Sequence, residues 1–198
     1  MKKRITSCAI LTVLVLCGLA GCSAEESLSK ITNQNNTGYV AGDGTTVSIP
    51  AEQRTITAKF AGKTADGAEL TDADFRGSVT VVNFWYAGCA PCRAEATDFA
   101  AAAHSFEPEN VKFLGVNTRD QAAQATQFEQ EFGVPYPSII DAANGRAVQA
   151  AFAGIATLNS TPTTLVLDKE GRVAHRVVGQ IAGKSHLETL IKETLQEN

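Results

Sequence analysis

The hydrophobic period changes several times along this chain, and each change marks an element. Val79 to Trp85, VTVVNFW, is a nearly unbroken apolar, β-branched run, the pattern of a strand buried on both faces. Val111 to Thr118, VKFLGVNT, is a second such run. Between them, Ala90 to Phe106 is rich in alanine with Pro91 near its start. That composition predicts a helix with proline in its first turn, where the missing N–H has no helical partner to lose. Gln121 to Phe132 predicts a second helix closed by Gly133, Ser138 to Ile140 a short strand, and Asn144 to Phe152 a third helix. Thr163 to Asp168 and Arg172 to Gln180 read as two strands joined by Lys-Glu-Gly, a hairpin connection containing glycine. In Lys184 to Leu195, the side chains of Leu187, Leu190, Ile191 and Leu195 share one face, which predicts a closing amphipathic helix.

Ahead of the first long strand, apolar residues alternate at Val47/Ile49 and at Ile56/Ala58/Phe60, with a turn signal at Ala65-Asp66-Gly67. These predict short strands in a hairpin-like lead-in. Thr71 to Gly77 reads as a turn or one helical turn. The order β-α-β-α-(β-α)-β-β-α predicts one α/β domain over residues 46–198, a central mixed sheet flanked by helices in three layers. There is no internal repeat.

Composition adds limits. The chain has 198 residues, 44% of them hydrophobic, enough for a core without many staples. The net charge is -4, and no Lys/Arg cluster lies beyond the extreme N-terminus. Phosphate neutralisation needs such a cluster, so nucleic acid is not expected as a partner.

The N-terminus reads as a targeting segment. Met-Lys-Lys-Arg is a basic start, Ile5 to Leu16 is apolar and uncharged, and Leu19-Ala20-Gly21-Cys22 follows. This is a signal-peptide pattern. Ile5 to Ala20 is short for crossing about 30 Å of hydrocarbon. The small residues before Cys22 resemble the lipobox of bacterial lipoproteins, which implies cleavage of residues 1–21 and a lipid on the Cys22 sulfur. Cleavage there removes Lys2, Lys3 and Arg4 and takes the net charge from -4 to -7. Residues 22–45, polar and rich in Ser, Thr, Asn and Gly, then read as a flexible tether. The expected location is the extracytoplasmic face of the cell membrane, lipid-anchored.

Cysteine usage narrows the chemistry. Of five cysteines, Cys8 and Cys17 fall in the signal and Cys22 at its end, which leaves Cys89 and Cys92. One C-x-x-C pair excludes a multi-disulfide scaffold. It is half of a zinc site, and His104, His175 and His186 are scattered without paired spacing. A purely structural disulfide here would close a very small loop and stabilise little. Redox chemistry fits the context, a C-x-x-C between a strand and a helix start. Cys89 falls near the N-cap, where unpaired N–H groups and the helix dipole favour a thiolate. Cys92, one turn on, is placed to resolve a mixed disulfide. The sequence therefore predicts Cys89 as an exposed attacker and Cys92 as a buried resolver.

VVNFWYAGCAPCRAE, followed downstream by STPTT (Ser160 to Thr164) and GQI (Gly179 to Ile181), resembles the TlpA/ResA group of membrane-tethered, thioredoxin-like disulfide reductases. The resemblance runs from about Thr45 to the C-terminus. It implies a thioredoxin-like fold with a strand-helix insert over Arg119 to Ala153 and a redox-active Cys89–Cys92 disulfide. It also implies a cis bond at Thr161-Pro162 facing the cysteines, where sequence alone leaves cis and trans open. There Thr161 and Pro162 would dock an extended substrate strand, with Trp85 as an aromatic contact whose alternative is a core position. Glu95 would line the site and tune the thiols; as a bare sequence position it also fits a solvated first-turn acid. Asn83 stands where cytoplasmic thioredoxins carry a proton-moving aspartate, so that duty would fall on Glu95 or water. Gly88 departs from the tryptophan common before the first cysteine.

The function implied is reduction of protein disulfides, with protein thiols and disulfides as partners. In the ResA-like case these include apocytochrome c, with a membrane thiol transporter as electron donor. No cofactor and no metal is implied. Alternatives are a general extracellular disulfide oxidase or isomerase, a peroxiredoxin-like protein, and a copper-binding lipoprotein in which two thiolates join His175 or His186. The loop Phe132 to Pro137, with Val134, Pro135 and Tyr136, lies in the insert and reads as a turn, with a surface loop near the site as the alternative.

Overall fold

In the computed structural model, the residues described are 40–41, 45–54, 58–153 and 160–197. The signal segment, Cys22 and most of the predicted tether lie outside them. The described residues all belong to the unit Gly38–Asn198.

A seven-stranded sheet carries strands in the order β1-β2-β9-β8-β5-β6-β7. Its centre is β5 (Val79–Trp85), buried at every position. β5 runs parallel to β6 (Val111–Asn117) and antiparallel to β8 (Thr163–Leu167). β7 (Ser138–Ile140) extends the parallel edge beside β6, and β9 (Val173–Val178) pairs antiparallel with β8. The helices are α1 (Ala90–Ser105), α2 (Ala122–Phe132), α3 (Ala147–Phe152) and α4 (Lys184–Gln196).

Strand alternation sorts the core into two faces. On one face, Val79 and Val81 pack with Phe99 of α1, Phe106 at its C-cap, and Leu187 and Ile191 of α4. Further along that face, Trp85 and the cysteines pack with Ala125 and Phe128 of α2. On the other, Val82 and Phe84 meet Phe60, Phe75 and Phe152. Burying β5 on both faces explains its lack of a polar-apolar alternation. α2 ends at Gly133 in the left-handed region at φ 62°, a conformation open to glycine without a Cβ clash.

The lead-in is divided differently from the sequence pattern. β2 (Thr45–Ser48) joins the main sheet antiparallel to β9, and β1 (Val40–Ala41) pairs with it, inside the stretch read as tether. The hairpin around Ala65-Asp66-Gly67 is built from β3 (Ala61–Lys63) and β4 (Glu69–Thr71) as a separate two-stranded sheet. Ala58 and Phe60 are buried ahead of β3 without belonging to a strand, and Ile56 lies outside the described residues. Their alternation reflects burial against Phe75 and Phe152 rather than pleating.

Candidate active site at the Cys89–Cys92 disulfide

Cys89 and Cys92 form a disulfide at the end of β5 where α1 begins. Cys89 is the N-cap of α1, and its Sγ accepts the Cys92 backbone N–H at 3.2 Å. Pro91 fits because the first-turn N–H groups have no helical acceptors. The approach to Cys89 is pinned from the turn after β6: Asp120 accepts the Ala87 N–H at 2.6 Å and the Asn117 side-chain amide at 2.8 Å. The Arg119 guanidinium lies 4.2 Å over the Tyr86 ring.

Opposite the cysteines, the Thr161–Pro162 bond is cis, and the Thr161 carbonyl oxygen is 3.6 Å from Cys89 Sγ. In the disulfide this is a contact; in the reduced protein the Cys89 thiol has an acceptor there. The sequence expectation of an exposed Cys89 is corrected for this oxidised state, since Cys89 is 3% and Cys92 2% exposed. The bond to Cys92, the helix N–H and the Thr161 carbonyl together draw the sulfur inward.

Trp85 is also buried, 4% exposed, with its ring 4.3 Å from that of Phe128. It backs the disulfide from the core, so the expected direct contact with substrate does not fit its burial.

Glu95 is 1% exposed, which corrects the reading as a solvated acid. One turn behind Cys92, it shares a recess with Cys92, Asn83, Trp85, Val134 and Tyr136. Asn83 Nδ2 donates to Glu95 Oε1 at 3.1 Å, and the Ile181 N–H donates to Oε2 at 2.9 Å. Burial raises the carboxyl pKa to about 7 against the opposing pull of these two donors, with Asp98 adding to the rise. A carboxyl poised there can take or give a proton at neutral pH.

For Val134 and Tyr136 the structure fits the alternative reading, a loop near the site, better than a plain turn. The segment Phe132-Gly-Val-Pro-Tyr-Pro reads as a turn, yet it carries both side chains into this recess. Tyr136 also stacks on Phe113 at 5.5 Å, and burial, then Glu95 and Glu129, push its hydroxyl pKa upward. Two aromatic or branched residues spaced by a proline were the available signal.

His175 and His186 sit elsewhere, bonded to Ser48 Oγ at 2.9 Å and Thr46 Oγ1 at 3.2 Å on β2. Among the described residues no cluster of three His, Cys, Asp or Glu side chains forms a metal-binding group.

The AhpC/TSA family model matches residues 54–176. The chain belongs to the AhpC/TSA family. The thiol:disulfide interchange protein HelX of Rhodobacter capsulatus is 34% identical over 116 residues, 58% of this chain and 60% of HelX. The thiol-disulfide oxidoreductase ResA of Geobacillus thermodenitrificans is 30% identical over 128 residues, 63% of this chain and 70% of that protein. A solved thiol:disulfide interchange protein of the thioredoxin family, from Chlorobium tepidum, superposes with a TM-score of 0.64 at 26% identity, over 72% of this chain and 97% of its own. The alignment thus spans less than two thirds of HelX. Within the AhpC/TSA family, these relatives place the chain among the thioredoxin-fold thiol–disulfide oxidoreductases of the ResA type.

Proposed function

We propose that this protein reduces protein disulfides outside the cytoplasm, tethered to the membrane through a lipid on Cys22. Its substrates are oxidised C-x-x-C-H haem-attachment sites of apocytochrome c, and a membrane thiol transporter supplies electrons. The observation that carries the reading is the disulfide itself, at a helix N-terminus with a titratable buried Glu95 behind it. The signal pattern ending in Cys22 supports the tether, and the likeness to HelX and ResA supports the chemistry.

In the cycle, the Cys89 thiolate attacks one sulfur of the substrate disulfide. That S–S bond breaks, and the first substrate sulfur leaves as a thiolate and takes a proton from solvent. Cys89 and substrate are now joined. The Cys92 thiol gives its proton to the Glu95 carboxylate, and its sulfur attacks Cys89 Sγ. The electron pair of the mixed disulfide goes to the second substrate sulfur, which also takes up a proton, leaving the oxidised protein. A dithiol donor then restores the two thiols.

Cys92→Ser blocks the second step and holds substrate on Cys89. Expressed in the native envelope, it is expected to capture apocytochromes c and one membrane thiol transporter. Capture of many unrelated secreted proteins instead means a general disulfide oxidase or isomerase. Peroxide consumption without an added dithiol protein, or copper retained at one equivalent, would move the assignment to a peroxiredoxin or a copper-binding protein.

A further inference from the structure

A second concavity opens beside the disulfide, between the segment before Cys89 and α2. Its rim is Ala87 and Gly88, directly before Cys89; its wall is Gln124 and Gln127 of α2; its floor is Phe128. Arg93 of α1 and Glu131 of α2 close one end as an ion pair. The cleft holds about 280 Å³, just under the roughly 300–1,000 Å³ of ordinary small-molecule clefts, room for a short stretch of chain rather than a whole enclosed ligand. It is separate from the Glu95 recess, although Phe128 contributes to both.

The lining has a definite chemistry. Gln124 and Gln127 are exposed; Gln127 offers both donors and an acceptor, while the Gln124 carbonyl oxygen accepts the Gln121 N–H at 3.3 Å in the capping box of α2 and leaves its NH₂ donors to the cleft, a set that matches the N–H and C=O of an extended chain. The single cation at the cleft, Arg93, is already paired with Glu131 and lies over the Phe132 ring at 4.9 Å. The cleft therefore carries no free charge of its own to select a charged ligand. Phe128 gives an apolar base for one side chain. Gly88 is what keeps the rim low. Its φ is not in the left-handed region, and a Cβ there would meet Tyr86 only at ordinary contact distances of 3.6 and 3.8 Å. A larger residue is thus sterically acceptable at the backbone but would stand over the cleft.

We propose that this cleft binds the polypeptide flanking the target cysteine of a protein substrate, an uncharged polar stretch with one apolar side chain, and so selects protein disulfides over small ones. The cleft begins one residue from Cys89, so a chain joined to Cys89 through a mixed disulfide passes its mouth. The inference rests on the disulfide-reductase reading, since only a thiol-exchange reaction brings substrate to Cys89.

The test uses the full chain, reduced beforehand, with insulin as the protein disulfide and oxidised glutathione as the small one. Gly88→Trp fills the mouth; Gln127→Ala removes an amide from the exposed face of α2 and leaves the Gln124 capping box intact. In single turnover, each is expected to lower the second-order rate constant for insulin reduction about five- to tenfold, the scale of one lost hydrogen bond, and to lower the insulin-to-glutathione ratio of these constants by a similar factor. An unchanged ratio in both variants overturns the proposal, because the cleft then contributes nothing that a small disulfide lacks. If wild-type protein reduces neither disulfide, the reductase reading falls first. If it reduces both and the ratio stays fixed, only the cleft is lost.

Discussion

The Glu95 carboxyl is held by the Asn83 amide at 3.1 Å, from a strand position where an aspartate would have placed a second acid beside it. The amide leaves Glu95 as the one ionisable group among the recess residues able to exchange a proton with Cys92 near neutral pH. Asn83 also donates to Thr164 Oγ1 at 3.3 Å, which fixes its amide and thereby the carboxyl.

Glu95 and His175 are expected to tilt the stability–pH curve in opposite directions. Burial raises the Glu95 pKa to about 7 in the folded state, so the folded state holds this proton more tightly than the unfolded chain. Its contribution is fully present below about pH 4.5 and lost as pH rises through 7, about 3 kcal/mol in all. Burial lowers the His175 pKa to about 4 against the pull of Glu197, with Arg54 and His186 adding to the fall. Its contribution is present above about pH 6.5 and lost as pH falls through 4, again about 3 kcal/mol. Between pH 4.5 and 6.5 the two offset each other in the wild type. In Glu95→Gln, urea midpoints should fall with decreasing pH across that window, and above pH 8 the variant should be the more stable protein. Parallel curves for variant and wild type would contradict the assignment.

The same substitution should change kinetics. With Glu95→Gln, the pH profile of mixed-disulfide resolution is expected to lose its inflection near 7 and slow about 10²-fold at neutral pH, the usual range for losing a general base. Stopped-flow release of a fluorescent thiol reads this step directly.

Cys89→Ser is expected to abolish disulfide reduction, because Cys89 is the N-cap whose sulfur accepts the Cys92 N–H, which favours its thiolate, while Cys92 lines the Glu95 recess. Retained turnover in an insulin assay would assign the attack to Cys92.

Gly115→Ala should destabilise the domain by about 2–4 kcal/mol. An added Cβ would collide with Ser138 Oγ on β7 and with Trp85 Nε1. Because Trp85 backs the disulfide, the variant should also show a shifted tryptophan emission in the native state.

Arg54 ties the lead-in to the C-terminus, donating to Asp168 at 3.3 Å and to Glu197 at 2.5 and 2.8 Å. Arg54→Met is expected to lose about 3 kcal/mol, since it strips one partner from the buried Asp168. Glu197→Gln should lose less than about 1 kcal/mol, because that carboxylate is partly exposed. Thermal unfolding of the two variants separates these cases.

Much of the fold was legible because its cause is local. An all-apolar β-branched run such as Val79–Trp85 has few alternatives to a central strand, and Pro91 and Gly133 mark helix ends by their own backbone restrictions. The lead-in was less legible. Whether Thr45–Ser48 pairs with a neighbour in sequence or with β9 depends on a distant edge, and alternation reads the same in both cases. Burial without pleating at Ala58 and Phe60 imitates the same period.

By itself the sequence determined the order of elements, the pair Cys89–Cys92 at a helix start, and the place of Glu95 one turn behind it, since spacing on a helix is set by the backbone. Tertiary structure decided what surrounds them. Burial of Glu95 requires α1 to lie against β5 and the loop carrying Ile181; the recess requires Val134 and Tyr136 to arrive from the insert. The low exposure of Cys89 requires Thr161, a residue far along the chain. These are contacts between segments remote in sequence, and the proton affinity of a carboxyl follows from how completely such segments exclude water.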